Sequence, residues 1–547
     1  MVAEIPVIKD DTDRSCSVFN SSDAVPTDVL YRFRVGIDDH PEPFDPAEAA
    51  ATLGDAFARD LLLKGVFPTS GAQVLTLLAD LAKDGGRTDH LDHQQFFVLG
   101  EGSQIPVTPA TGPVVRALRF LVACGPDGGP DPSTPGPDIL VSAFNPEAGT
   151  TELMAWDHDK GGFNFYRTFG ETDTAWVFAG NSRDALAAAT RARGPFESHR
   201  GGNVLMKELR APWIHWHSID AAVDQNVLAA NNPIRTHPWF LAALANKRGA
   251  LDCETKVVRP SIDRWVRTHF DALIAEGTPT NTEPIFTAVL DTPTVNITCS
   301  HQHGDPTLDK DDEPVELPLS FFLDLDGFGA DRGGLGLLTG EPTVSVPRDV
   351  YDATLTAFHV HLSDGFDFHR QGDTFFAFAV PERAYEDHRT VVEARRIGLL
   401  SDRLAAAFLM TDFPNPIFST RRPALLAHIP AELNIAEREQ FPDAVAAAIV
   451  AAASPGSPEE EFAELWGVGD DWREVFGKRL TDYLAAVAHA VQTPSGFHDI
   501  YRVAVSRRKQ MVDTMPIAEF GLLFPVSDVE PNPVVLHADA TGHSLTL

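Results

Sequence analysis

Four short apolar runs follow one another between residues 139 and 178. They are Ile139–Phe144, Thr151–Trp156, Phe163–Phe169 and Ala175–Phe178. The connectors Asn145-Pro-Glu-Ala-Gly, Asp157-His-Asp-Lys-Gly-Gly and Gly170-Glu-Thr-Asp are made of residues that favour turns. Runs spaced by about a dozen residues, with glycine in the links, predict an antiparallel meander. The pattern occurs once, so it does not define a propeller or another repeat architecture.

The meander has a sharp border on its N-terminal side. Gly125-Pro-Asp-Gly-Gly-Pro-Asp-Pro-Ser-Thr-Pro-Gly-Pro137 is too rich in Pro and Gly for regular structure and reads as a linker. Before it, a polar tail (1–26) precedes a mixed α/β unit (27–125). There an alternating strand is expected at Val29–Ile37. A helix follows from Pro46, with Asp45 as N-cap, to about Leu63, and a second runs from Ser70 to Ala82. Strands are expected at Gln94–Leu99 and Arg116–Ala123.

After the linker, residues 138–345 form a β-rich central unit. It includes helical patterns near Asn181–Ala192, Asp220–Ala229, Pro238–Asn246 and Ile262–Ala275. Extended runs are expected at Phe286–Cys299, broken at Pro293, and at Leu317–Leu325. Residues 346–547 are mainly helical, with helices at Asp349–Leu362, Glu382–Met410, Pro442–Ala453, Pro458–Trp466 and Trp472–Gln492. A last ordered piece is expected at Ile517–Val526. A chain of 547 residues is long enough for two or three packed units. The expected class is α+β: a mixed N-terminal α/β unit, an antiparallel meander core and a mainly helical C-terminal third.

Charge narrows the partners. A formal net charge of −34 lacks the basic footprint that phosphate backbones require, so nucleic acid is not an expected partner. The same charge opposes docking on an anionic membrane, and the longest near-apolar run, Ala444–Ala453, is about half a membrane span. No basic segment followed by an apolar one opens the chain. Cys16, Cys124, Cys253 and Cys299 lie far apart and form no CxxC, which removes zinc ribbons and dithiol redox chemistry. A soluble cytoplasmic protein acting on a small molecule is expected.

Chemistry concentrates in three His-x-His pairs. The stretch Gly201–Ser218 ends Pro-Trp-Ile-His-Trp-His-Ser, with His215 and His217 beside Trp213 and Trp216. In an extended backbone, side chains two apart share a face, so one strand can offer two imidazoles to one metal. The second pair, His301 and His303, stands in Ser300-His-Gln-His-Gly-Asp305, where Asp305 could ligate or orient an imidazole. HxHxD just after a strand is similar to the start of the metal site in metallo-β-lactamase-like hydrolases. It departs from that pattern at Pro306, where a further histidine is expected. The third pair, His359 and His361, alternates with Phe358, Val360 and Leu362. A strand would place both imidazoles on one face, whereas a continued helix would turn them about 200° apart.

Glu386 and His388 lie on an expected helix but share no face, and no second Glu-x-x-His accompanies them, so a carboxylate-bridged di-iron site is not expected. There is no Gly-x-Ser-x-Gly elbow, no P-loop and no GxGxxG followed by a helix. Imidazole ligation favours Fe, Cu or Zn. The expectation is a metal-dependent enzyme, leaning to an oxidoreductase acting on an apolar or aromatic small molecule. His215, His217, His301, His303, His359 and His361 are candidate ligands, and Asp305 or Glu208 a candidate base. The alternatives are a non-catalytic binding or assembly protein with structural histidines, and a metal-dependent hydrolase.

Overall fold

The computed structural model describes residues 24–85, 88–100, 118–125, 136–191, 193–197, 199, 201–204, 230–246, 250–277, 279–291, 295–298, 313–338, 340, 342–363, 369–372, 380–514, 525–529, 536–540 and 544–546. The fold is α+β. Its centre is one sheet of eight strands, β1 (Tyr31–Arg32), β2 (Glu42–Pro43), β3 (Gln94–Gly100), β4 (Leu118–Cys124), β5 (Ile139–Ala143), β6 (Thr151–Asp157), β7 (Gly162–Phe169) and β8 (Ala175–Asn181). The order is β2-β1-β8-β7-β6-β5-β4-β3, antiparallel except where β1 runs parallel to β8. The expected meander is therefore present, and the same sheet continues across the Pro/Gly linker into β4 and β3.

Both faces of this sheet are buried, which accounts for its near-continuous apolar strands. Along β8, Trp176 and Phe178 point into one apolar core while Ala175, Val177 and Ala179 point into the other. On the first side lie helices α1 (Pro46–Thr52), α2 (Ala56–Asp60) and α3 (Gly71–Ala82). Their Leu53, Phe57, Val74, Leu75 and Leu78 fill the core against the strands. On the second side the apolar core runs on into the C-terminal helices.

Asp45 caps α1 through the backbone N–H groups of Ala47 and Glu48, with Pro46 in the first turn. The helix expected to reach Leu63 instead breaks at Leu53-Gly54, because Asp55 starts a new one. Buried Asp55 accepts from Ala58 N (2.9 Å), Asn164 Nδ2 (2.7 Å) and the Tyr166 hydroxyl (2.6 Å), locking α2 to β7. Of the strand expected at Val29–Ile37, only Tyr31–Arg32 enters the ladder, and Gly36 already sits at φ +74°.

Past the meander come α4 (Ser182–Leu186), α5 (Pro238–Ala245), α6 (Arg259–Glu276) and α7 (Glu283–Leu290). The last corrects the reading of Phe286–Cys299 as extended. A short unbroken apolar run fits a buried helix as well as a strand. Here Ile285, Phe286, Ala288, Val289 and Leu290 are all buried, and Pro284 suits a first turn. Strand β9 (Val295–Thr298) follows. The strand expected at Leu317–Leu325 ends at Leu317, and Pro318 then caps a 3-10 turn.

Helix α8 (Arg348–Ala357) stops five residues short of the expected Leu362 and leads to β10 (His361–Ser363), β11 (His369–Gln371) and β12 (Val380–Arg383). The single helix expected over Glu382–Met410 is two, α9 (Tyr385–Arg396) and α10 (Asp402–Met410), separated where Gly398 takes φ +82° and Ser401 caps α10. Then come α11 (Phe441–Ala451), α12 (Pro458–Gly467), α13 (Trp472–Ala490) and α14 (Pro494–Thr514), followed by β13 (Pro525–Val526). Helix α14 was not anticipated from the sequence. No helix among the described residues is long and apolar enough to cross a membrane.

Replacing Asp55 with Ala removes a helix cap and leaves Tyr166 and Asn164 with one bond fewer in the interior. Asp55→Ala is expected to cost about 3 kcal/mol, measured as a lower midpoint in urea unfolding.

Candidate functional site

Helix α9 has the sequence Tyr-Glu-Asp-His-Arg-Thr-Val-Val-Glu-Ala-Arg-Arg, and eight of its twelve residues are buried. Five of the eight are ionisable in the ordinary range or permanently charged: Glu386, Asp387, His388, Arg389 and Glu393. Buried charges persist only with close partners. Arg389 supplies one set, placing Nε 2.6 Å from Asp263 Oδ1 of α6 and Nη2 3.3 Å from Glu393 Oε1. The Tyr385 hydroxyl donates to the same Asp263 carboxylate at 3.0 and 3.1 Å. Burial raises the pKa of Asp263, and Arg389 opposes that shift. Burial, reinforced by the Asp263 charge, pushes the Tyr385 phenol up, so it remains a donor at neutral pH.

His388 places Nε2 3.1 Å from the Arg332 carbonyl, and burial lowers its pKa. Just before the helix, Arg383 of β12 meets Asp324 at 2.6 Å with both side chains 3% exposed. Burial alone would raise Asp324, but Arg383 outweighs it and holds the carboxyl below its usual value.

The start of the His–Trp segment is fixed against this helix. Asn203, 2% exposed, donates from Nδ2 to Glu386 Oε2 at 3.2 Å, while its buried Oδ1 has no donor among the described residues. The Gly201 carbonyl accepts from the Trp265 indole of α6 at 2.7 Å, and the Gly202 carbonyl accepts from Ser182 Oγ at 2.7 Å. His199 Nδ1 lies 2.8 Å from the Asn203 carbonyl.

Only glycine fits here. A Cβ on Gly201 would lie 2.9 Å from Asn203 Nδ2 and 3.3 Å from Glu386 Oε2. One on Gly202, at φ +70°, would lie 2.5 Å from the Ser182 carbonyl. Beside Trp265, His269 packs at 5.2 Å between ring centroids, and burial holds its pKa down to about 4. It is a neutral imidazole at physiological pH.

The lead-in to the second His pair is tied to the same unit. Strand β9 pairs antiparallel with β12, Val295 opposite Arg383 and Thr298 opposite Val380, and β12 runs directly into α9. Val204 follows Asn203 beside the first turn of α9, whereas Thr298 lies opposite Val380, at the end of β12 away from α9. Glu208, His215 and His217 lie in 205–229, and His301, His303 and Asp305 in 299–312, all outside the described residues.

The third pair is described, and it is not an extended stretch. Helix α8 ends at Ala357 and His359 turns left-handed at φ +47°, with His361 opening β10. His359 Nδ1 stands 2.7 Å from Asp528 Oδ2 with both side chains 70% exposed. His361 Nδ1 lies 2.9 Å from the His359 carbonyl. Among the described residues, no three His, Cys, Asp or Glu side chains are arranged to hold a metal ion.

Asn203, His269 and the buried state of Glu386 were not singled out from the sequence. The one local signal was the Gly-Gly pair ahead of Asn203. Glu386 and His388 do diverge around α9 as their spacing dictates, Glu386 toward Asn203 and His388 toward Arg332. No family model matches the chain, and no curated protein or solved structure is significantly similar to it.

Arg389→Met leaves the Asp263 and Glu393 carboxylates buried without that guanidinium. The loss is expected to reach about 3–5 kcal/mol. The exposed Lys478–Asp482 pair is the control, since Lys478→Met is expected to cost under about 1 kcal/mol. Denaturant midpoints of the two variants measure the contrast.

Proposed function

We propose that this chain is a metal-dependent enzyme, an oxidoreductase acting on an apolar or aromatic small molecule, with its centre beside the β12–α9 unit. The observation that carries the reading is the anchoring of Asn203 and β9 on that unit, because the chain on either side supplies His215 and His217, then His301 and His303. Fit to a cation is supported by the local imbalance of donors and acceptors. Among the described residues the buried Asn203 amide oxygen has no donor, and it sits next to a buried carboxylate, which suits a cation or a ligand N–H.

In this reading the four imidazoles hold the metal and Asp305 or Glu208 takes a proton from water or substrate. A bound Fe, Cu or Zn supplies Lewis-acid activation and, for the first two, electron transfer. The third pair receives a structural role, since His359 closes α8 and pairs with Asp528. The proposed compartment is the cytoplasm, consistent with Cys124 and Cys253 as buried free thiols.

Elemental analysis and a visible spectrum on one sample of the purified chain test the proposal. One transition-metal ion per chain is expected, lost in the His215→Ala/His217→Ala double variant. A wild-type chain without stoichiometric metal overturns it in favour of a binding protein with structural histidines.

A further inference from the structure

Away from α9, a second polar cluster closes over Asp138, at the entry to β5. Its side chain is 6% exposed. Oδ1 accepts from Arg264 Nη1 of α6 at 3.0 Å. Oδ2 lies 2.6 Å from His90 Nε2, in the turn before β3, and 2.9 Å from His158 Nε2, in the β6–β7 turn. Arg264 also donates to the Pro137 carbonyl at 2.5 Å and stacks on Trp156 at 4.2 Å. Among the described residues, Asp89 also faces His90, its Oδ1 3.1 Å from His90 Nδ1. The neighbouring Asp157 carboxylate is engaged by the backbone N–H groups of Gly54, Asp159 and Lys160, and the Lys160 ammonium by the Thr52 carbonyl.

The two imidazoles are not equivalent. His90 has a carboxylate oxygen at each ring nitrogen, and a neutral imidazole carries only one N–H. The neutral ring would set an acceptor against one of the two carboxylates, so only the imidazolium satisfies both. His158 faces one carboxylate and keeps that bond as the neutral Nε2–H tautomer.

We propose that His90 is a pH-sensitive tie, bridging Asp138 and Asp89 as the imidazolium and, when neutral, keeping a single N–H for Asp138 while giving up Asp89, which weakens its hold on the sheet and α6. The direction of its titration agrees. The bond to Asp138 raises the pKa of His90 against the opposing effect of burial. Burial would raise Asp138, but the two imidazoles and Arg264 outweigh it and hold its carboxyl well below the usual range. Arg264, lowered to about 10 by burial, stays charged throughout.

A basic group whose folded pKa is raised stabilises fully below its unfolded value of about 6.5. That contribution is lost as pH rises through the raised value. At the acid end, the Asp138 contribution is present above the unfolded value of about 3.9 and disappears as pH falls through its depressed folded value. The charged bridge is therefore complete in mildly acid solution and is lost as pH rises through the raised value of His90.

The test is an NMR titration of the histidine ring carbons in the full chain, with the His90 signal assigned as the one missing from His90→Gln. A His90 pKa above 6.5 is expected, moving down in Asp89→Asn, a variant at an exposed position outside the core. Thermal midpoints measured between pH 6 and 8 should fall in wild type and fall less in His90→Gln. A His90 pKa at or below 6.5, or equal pH dependence of the two midpoints, overturns the tie. Loss of the Asp89→Asn effect alone overturns the requirement for two carboxylates.

Discussion

Two neighbouring residues on α6 join the halves of this molecule. Arg264 reaches Asp138 at the edge of the meander, and Asp263 reaches Tyr385 and Arg389 on α9. One turn of helix thus couples a sheet to a helical layer through opposite charges, each within reach of its own buried partner. Arg264 gains from the faces of Trp156 and Phe163 as well as from its carboxylate. Neither contact would be worth much on an exposed surface, where solvent and salt screen charge. In the interior both specify how α6 must sit, because a displaced helix would strand a charge on each side.

That constraint explains why a helix as polar as α9 can be internal. Its apolar residues alone would not bury it. Arg389, Glu393 and Tyr385 find partners on α6 and along α9 itself, and Arg383 just before it finds Asp324. Other parts of the chain pack on the same region, Asn203 on Glu386 of α9 and strand β9 on β12. Paired charges of opposite sign therefore hold α6, α9 and the backbone packed on them in one arrangement.

Much of the architecture could be read locally. The meander was legible because its turns carry glycine and its strands are short and apolar; three strands lie within one residue of their expected bounds and β8 runs three residues past Phe178. Helix starts were legible too: Asp45 caps the helix at Pro46, and the helices expected from Ser70 and from Pro458 begin there, each capped by a serine. Apolar runs without a period were not. Phe286–Leu290 is buried at four of its five positions, and a short apolar run buried on most sides fits a helix as well as a strand. The break at Gly398 was missed since the charge pattern on either side reads as continuous helix. Of the site, the His-x-His pairs were visible as spacing, and the left-handed turn at His359 was not, because helix termination there is set by β10 pairing with β11 and β13.

The sequence by itself determined the α+β class, the meander, most helix starts and the chemistry each side chain can offer. Those depend on interactions within a few residues, and such interactions are written in order along the chain. Tertiary structure alone decided which polar residues are buried together. Asp138 meets His90 and Arg264 across 48 and 126 positions, and Asn203 meets Glu386 across 183. Contacts over such separations arise from packing, and no local pattern encodes them. The opening feature of the candidate site, the His–Trp segment, gained its meaning the same way, from the buried helix on which its first residues rest.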